Sequence, residues 1–220
     1  MRHGEVAYFD DAGRPVRPDD VPLTAEGREQ AAAAASLLAP VTFDRVVTSG
    51  LTRSVETARI VAPDVELEAW PELEEIRGDR LSAIPEDELE EAFVHAFRGI
   101  VPLEKRFLGG ETIGELFDRV LPAVDRLLAD ASWDTALAVL HGAVNRAILS
   151  FALTDDRIFL GHFEQAAGCV NVLDVGDVWI VRAVNLSPLD MLHTSTRETT
   201  MERYWAEYRR RAPEAPVSDT

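Results

Sequence analysis

Two histidines and two arginines have side chains suited to chemistry, and Arg53 and His141 stand where the sequence turns from an apolar run into a helical one. Arg2 and His3 open the chain in "MRHGEVAYFD", Arg53 lies in "TSGLTRSVETA" and His141 in "VLHGAVNR". Arginine forks match phosphate oxygens bidentately, and helix N-termini add backbone N–H donors. A neutral imidazole can attack phosphorus and form a phosphohistidine. Neighbouring arginine charge keeps that imidazole neutral by opposing its protonation. The second histidine would stabilise charge on the phosphoryl oxygens in transit. Together these residue types point to an anion pocket with a nucleophile inside it.

Such a pocket needs elements that bring distant residues to one place. Thr24 caps a helix over about 25–39, which Pro40 stops. "FDRVVTSG" reads as a buried strand ending near Thr48, and a helix follows in "LTRSVETARIVA" up to Pro63. "VELEAW" alternates like a strand, and "EDELEEAFVHAFRGI" reads as an acidic amphipathic helix. Over 111–130, Ile113, Leu116, Phe117, Val120, Leu121, Val124, Leu127 and Leu128 recur at helical spacing, with a kink expected at Pro122. "TALAVLHG" is a buried strand ending at His141, with a helix after it, and "CVNVLDVGDVWIVRAVN" is two strands around Gly176-Asp177. Strands alternating with helices imply a three-layer α/β/α sandwich with a mostly parallel central sheet. Sites in such sheets form beyond the carboxyl ends of the strands, where Arg53 and His141 are expected. Residues 1–195 form one domain with an insertion at about 77–110, and 196–220 form a charged tail whose first part is helix-like.

The 220 residues are 46% hydrophobic, enough for a sizeable core, and no apolar stretch reaches bilayer length. The start lacks a signal-peptide pattern, and the single cysteine, Cys169, excludes an internal disulfide framework. A cytoplasmic location is expected. The formal net charge of −17 disfavours nucleic acid and anionic membrane as partners. An anionic substrate would have to be held by local arginines against a negative global field.

The ordered segments "RHGE", "LTAEGREQA", "TSGLTRSVETA", "LEEI", "GGETIGELFDRV", "VLHGAVNRAIL" and "WIVRAVN" resemble the histidine phosphatase superfamily, the phosphoglycerate mutase-like group, in its branch with RHG and HG motifs. They run in the family's order and cover most of the chain from residue 2 to about 190. The resemblance implies that His3 is the phosphorylated nucleophile. It implies Arg2, Arg53 and His141 as the phosphate pocket, with Gly4 and Gly142 of the two motifs beside the substrate. The family's general acid falls in "LEEI", which points to Glu75. No metal and no cofactor are implied. The expected substrate is a small organic phosphate ester.

Three departures stand out. An asparagine that many members carry six residues after the nucleophile is Phe9 here. After "LEEI" the chain reads "RGDRLSA", so the cover over the acid differs, and Glu74 or Glu72 is an alternative carboxylate. The family's first strand, ending at RHG, is missing. Either the natural chain starts several apolar residues earlier or another segment fills the gap.

The expected activity is phosphomonoester hydrolysis, with a phosphoglycerate mutase-type phosphotransferase and a non-catalytic phospho-ligand binder as alternatives. The stretch after RHG, "EVAYFDDAGRPVRPDD", lacks the longer mutase signature and favours hydrolysis. Specificity is expected in 6–22 and 77–110, where the "YF" pair could touch an organic moiety. Glu111 either starts its helix or contacts substrate. His95, His162 and His193 lack ligand-like spacing and read as structural or surface residues. The closing strand pair offers an edge for a homodimer.

Overall fold

A computed structural model describes residues 1–8, 16, 18–79, 81–192 and 198–211. Phe9 and His193 lie outside these residues. Six α-helices are present among them: α1 (Ala25–Leu38), α2 (Thr52–Val61), α3 (Leu89–Val94), α4 (Ile113–Leu128), α5 (Gly142–Thr154) and α6 (Thr200–Arg211). The strands are β1 (Arg45–Thr48), β2 (Leu67–Ala69), β3 (Ile100–Val101), β4 (Ala136–Val139), β5 (Phe159–Leu160), β6 (Val170–Val175) and β7 (Trp179–Leu186).

The central sheet runs β2-β1-β4 with both pairings parallel. Its residues are apolar on both faces because helices cover both. Val46, Leu137 and Val139 pack with Ala34 of α1 and with Ala58 and Val61 of α2. On the opposite face Val47, Ala138 and Leu140 pack with Phe117 and Val120 of α4 and with Val144 and Ala147 of α5. The alternation along β1 and β4 sorts the core into two clusters and makes the three layers expected from the sequence.

Residues 1–3 take a place in this sheet themselves. Leu140 N–H donates to Met1 O at 2.9 Å and His3 N–H to Leu140 O at 3.0 Å, with a parallel bridge between Arg2 and Leu140. On the other side Arg2 N–H donates to Cys169 O and Gly168 N–H to His3 O, both at 2.9 Å. The backbone beside His3 is therefore paired on both flanks, between the end of β4 and the start of β6.

Two helices differ in detail from the sequence reading. The acidic helix expected over 86–100 is only Leu89–Val94, preceded by a 3₁₀ turn at Glu86–Glu88. Five carboxylates within Glu86–Glu91 repel one another at helical spacing, and Gly99 at φ 70° turns the chain so that Ile100 pairs with Leu160. Helix α4 runs unbroken through Pro122 behind a capping box of Thr112 and Glu115. No described helix is long and apolar enough to cross a membrane.

Candidate active site

His3 ends the extended segment of residues 1–3, bridged at Arg2 to Leu140 beside the carboxyl end of β4, where Leu140 leads into His141. The turn after it depends on Gly4. A Cβ on Gly4 would lie 2.2 Å from Gly27 O, and one on Gly27 would lie 2.2 Å from Glu5 O. The two glycines let residues 3–5 touch the first turn of α1, which Thr24 caps by accepting from Gly27 N–H at 3.0 Å. Gly4 N–H is taken by Thr57 Oγ1 at 3.1 Å.

The tautomer of His3 follows from its partners. Gly4 O, 2.7 Å from Nδ1, can only accept, so Nδ1 carries the hydrogen. Arg53 Nε, 3.3 Å from Nε2, can only donate, so Nε2 presents its lone pair. Burial, then the charges of Arg53 and Arg2, hold the His3 pKa well below its ordinary value, and the ring is neutral. Arg53 stands in the first turn of α2, and its other end donates to Pro18 O. Glu56 does not pair with it but accepts from Leu23 N–H and pairs with Arg28.

His141 is the N-cap residue of α5 and is fully buried, its ring centroid 5.1 Å from that of His3. Its Nε2 lies 2.7 Å from Ser49 Oγ, and Ser49 Oγ lies 2.9 Å from Ser54 Oγ. Burial first, then His3, Arg53, Arg2 and Arg119, push its pKa well below the ordinary value. Gly142 follows, and a Cβ there would stand 3.2 Å from Arg146 Nη1, 3.5 Å from Glu75 Oε2 and 3.8 Å from Arg2 Cζ. These groups therefore converge on the start of α5.

Glu75 is the carboxylate of "LEEI" that reaches this place. Its Oε1 accepts from Ala143 N–H at 3.1 Å and from Ile76 N–H at 3.0 Å. The exposed N–H groups and the dipole of α5 favour a carboxylate there. Glu74 pairs instead with Arg77 and Glu72 with Arg126. The Glu75 segment is braced from α4: Arg119 donates to the carbonyls of Glu72, Glu74 and Glu75. Glu111 holds Arg119 at 2.6 Å and accepts from Arg77 N–H at 3.0 Å. Glu111 thus supports the loop, a third role beside the two considered from sequence.

Arg2 Nη1 donates to Gln165 O and to Thr200 Oγ1 of α6, the latter at 2.9 Å, and Nη2 reaches Tyr204 OH at 3.5 Å. Helix α6 is tied down by Arg203 to Glu5 at 2.9 Å, by Tyr204 edge-on to Tyr8, and by Trp205 and Tyr208 against Phe93 of α3. It roofs the pocket: Arg2, His3, Arg53 and His141 are 5%, 2%, 2% and 0% exposed. Three buried polar atoms among the described residues have no partner, namely Arg2 Nε, His141 Nδ1 and Arg146 Nε. Orphans of this kind are rare in a packed interior and mark a place for a polar ligand.

Arg146, Ser49, Ser54, Thr57, Arg119 and the α6 pair Thr200 and Tyr204 were not singled out from sequence. Arg146 had a readable signal, lying one turn after His141 on the same helix. His95 is near Glu91 at the surface and His162 is exposed. Cys169 is buried, and burial pushes its thiol pKa up.

A parallel three-layer α/β domain gathers an unprotonated imidazole nitrogen and arginines at its strand ends, an arrangement suited to an anionic, phosphate-like group. The model of the histidine phosphatase superfamily (branch 1) matches residues 1–186, and the chain belongs to that family. It is 30% identical over 184 residues to an adenosylcobalamin/alpha-ribazole phosphatase of Salmonella typhimurium, covering 80% of this chain and 88% of the relative. It is 29% identical to a probable phosphoglycerate mutase GpmB of Yersinia enterocolitica, covering 70% and 73%. The alpha-ribazole phosphatase structure from Shigella flexneri superposes with a TM-score of 0.67 at 27% identity, over 84% of this chain and 94% of the other.

Proposed function

We propose that the protein hydrolyses phosphomonoesters through a phosphohistidine on His3, without a metal ion. The observation that carries this reading is the fixed tautomer of His3, with Nδ1–H on Gly4 O and a bare Nε2 beside Arg53. Arg2, Arg53 and His141 bind the phosphoryl oxygens. The Nε2 lone pair attacks phosphorus, the P–O ester bond breaks, and the leaving oxygen takes a proton from Glu75. The Glu75 carboxylate then accepts a proton from water, the resulting hydroxide attacks phosphorus, and the P–N bond breaks. Products are the alcohol and inorganic phosphate, and His3 and Glu75 return to their starting forms. Delivery of the proton in the transition state is worth about 10²–10⁴-fold.

The substrate is a small organic phosphate ester. The relatives named alpha-ribazole phosphatases place that phosphate first in a panel. The relatives named phosphoglycerate mutases make a phosphoglycerate with a bisphosphate primer the contrasting member, since a mutase returns the phosphoryl group to the sugar acid rather than to water.

The test is phosphate release from this panel in EDTA, comparing the natural chain with His3→Ala, together with trapping of an acid-labile phosphoprotein. Release in EDTA that disappears with the trapped species in His3→Ala is expected. Release that survives the substitution removes His3 as nucleophile, and release that needs a divalent ion removes the metal-free route.

A further inference from the structure

The hydroxyls of Ser49 and Ser54 lie in the wall behind His141, and their hydrogens can be assigned one by one. Ser54 has a single hydroxyl hydrogen, and it goes to Leu51 O at 2.7 Å. Taken as a hydrogen bond, the 2.9 Å contact between the two serines then has Ser49 as its donor. With its hydrogen spent, Ser49 Oγ can only accept, from Leu51 N–H at 3.3 Å and from His141 Nε2 at 2.7 Å. The neutral His141 ring thus carries its hydrogen on Nε2, facing away from a ligand. Nδ1, buried and without a partner, is the nitrogen left to meet one.

We propose that Ser49 and Ser54 are positioning residues that fix His141 in the Nε2–H tautomer, so that it grips a phosphoryl group only after one proton has been added at Nδ1. This rests on the phosphatase reading of the site. A bare Nδ1 repels a phosphoryl oxygen, whereas a protonated one donates to it. The proton comes with the ester monoanion or from solvent, and one is taken up for each dianion bound. The groups facing His141 are Arg2 and His3 of the N-terminal segment, Arg53 of α2, Arg119 of α4 and Glu75 of the 71–76 segment. Burial, and after it the cations among them, keep His141 neutral, and the incoming dianion supplies the charge that reverses this.

The consequence is a pH law. Above the ligand's second pKa, about 6 for a phosphate ester and higher for inorganic phosphate, affinity and kcat/KM fall about tenfold per pH unit, the slope of a one-proton requirement. In Ser54→Ala the Ser49 hydrogen is released from its old partner and can turn to His141 Nε2. The ring then carries Nδ1–H while neutral and donates to the dianion directly, so the alkaline fall flattens. Ser54→Thr keeps the hydroxyl and keeps the fall.

The first measurement is the ¹⁵N spectrum of His141 in the natural chain, before and after inorganic phosphate. A bare Nδ1 with a protonated Nε2, both protonated once phosphate binds, is expected. A hydrogen on Nδ1 before phosphate overturns the proposal, and so does an alkaline slope for the phosphate inhibition constant that is the same in Ser54→Ala and the natural chain. The spectrum of the phosphate-free protein judges the serine relay even if turnover proves not to involve His3. Turnover that vanishes in His3→Ala with no change of slope in Ser54→Ala sinks the relay while the phosphatase reading stands.

Discussion

The polar side chains facing His3 rest on a floor of strand ends and helix starts. Gly4 O and Arg53 set the two ring nitrogens of His3, Ser49 sets His141, and Ala143 N–H holds Glu75. Above them lies α6, which stands beyond the matched span of 1–186. It touches the site through two hydroxyls on Arg2 and is fastened by one ion pair and a group of rings on α3. The floor is held by backbone groups, Gly4 O and Ala143 N–H, and by the buried side chains of Arg53 and Ser49 at places the sheet dictates. The roof is held by exchangeable side-chain contacts and occupies hydrogens on Arg2 that a phosphate would take. Substituting the floor should therefore remove chemistry, and loosening the roof should ease entry.

The largest effect after loss of His3 is expected at Glu75. Glu75→Gln lowers kcat by about 10²–10⁴-fold on an alkyl phosphate. On p-nitrophenyl phosphate, whose leaving group needs no proton, a burst of nitrophenol precedes slow turnover. An equal loss on both esters would show that Glu75 does not deliver the proton. Next is Arg119→Ala, which leaves the Glu75 segment without its brace. Three partly buried carbonyls lose a charged donor, each loss costing at most about 1–3 kcal/mol. A drop in kcat and in urea midpoint together is the expected pair, and an unchanged kcat would separate the brace from the acid.

The floor also predicts how stability depends on pH. Burial and the neighbouring arginines depress the folded pKa of both His3 and His141. The unfolded chain therefore binds more protons below the ordinary histidine value of about 6.5. Stability is full above that value and falls as pH drops through the window beneath it, by up to about 1.4 kcal/mol per pH unit for each histidine. Denaturant titrations at descending pH check the sign, and His141→Asn should reduce the slope by about half. The smallest effect belongs to the roof. Trp205→Ala removes from α6 a ring packed on Phe93 of α3 without touching the floor, and the inhibition constant of inorganic phosphate should fall by about two- to tenfold with kcat unchanged. A rise would mean that α6 helps to hold phosphate and does not compete with it.

The strand and helix order was readable because each element has a strong local signal. Val46-Val47 and Leu137–Leu140 alternate between two apolar layers, and α4 has an unbroken stripe with a capping box. His3, Arg53 and His141 could be placed together because each follows such a signal. Ser49 and Ser54 could not, since serines are ordinary just after a strand and in the first turn of a helix, and only three-dimensional contacts decide which way a hydroxyl points. Arg119 looks like the wet face of an amphipathic helix until the carbonyls of Glu72, Glu74 and Glu75 are seen beside it. Helix α6 was legible as a helix, but nothing local says that Tyr204 reaches residue 2. The acidic helix was overestimated because a pattern of apolar positions says nothing of the repulsion between Glu86, Asp87, Glu88, Glu90 and Glu91.

The contact of Gly4 with Gly27 has a meaning for redesign. Gly4 leaves the space that Gly27 O fills and Gly27 the space that Glu5 O fills, so the pair behaves as a single word written in two distant places. A methyl group at either one would push α1 and residues 3–5 apart and turn the imidazole away from Arg53. Transplanting the His3 motif into another scaffold therefore means transplanting the first turn of α1 with it, and a motif search that reads RHG alone sees half of the device.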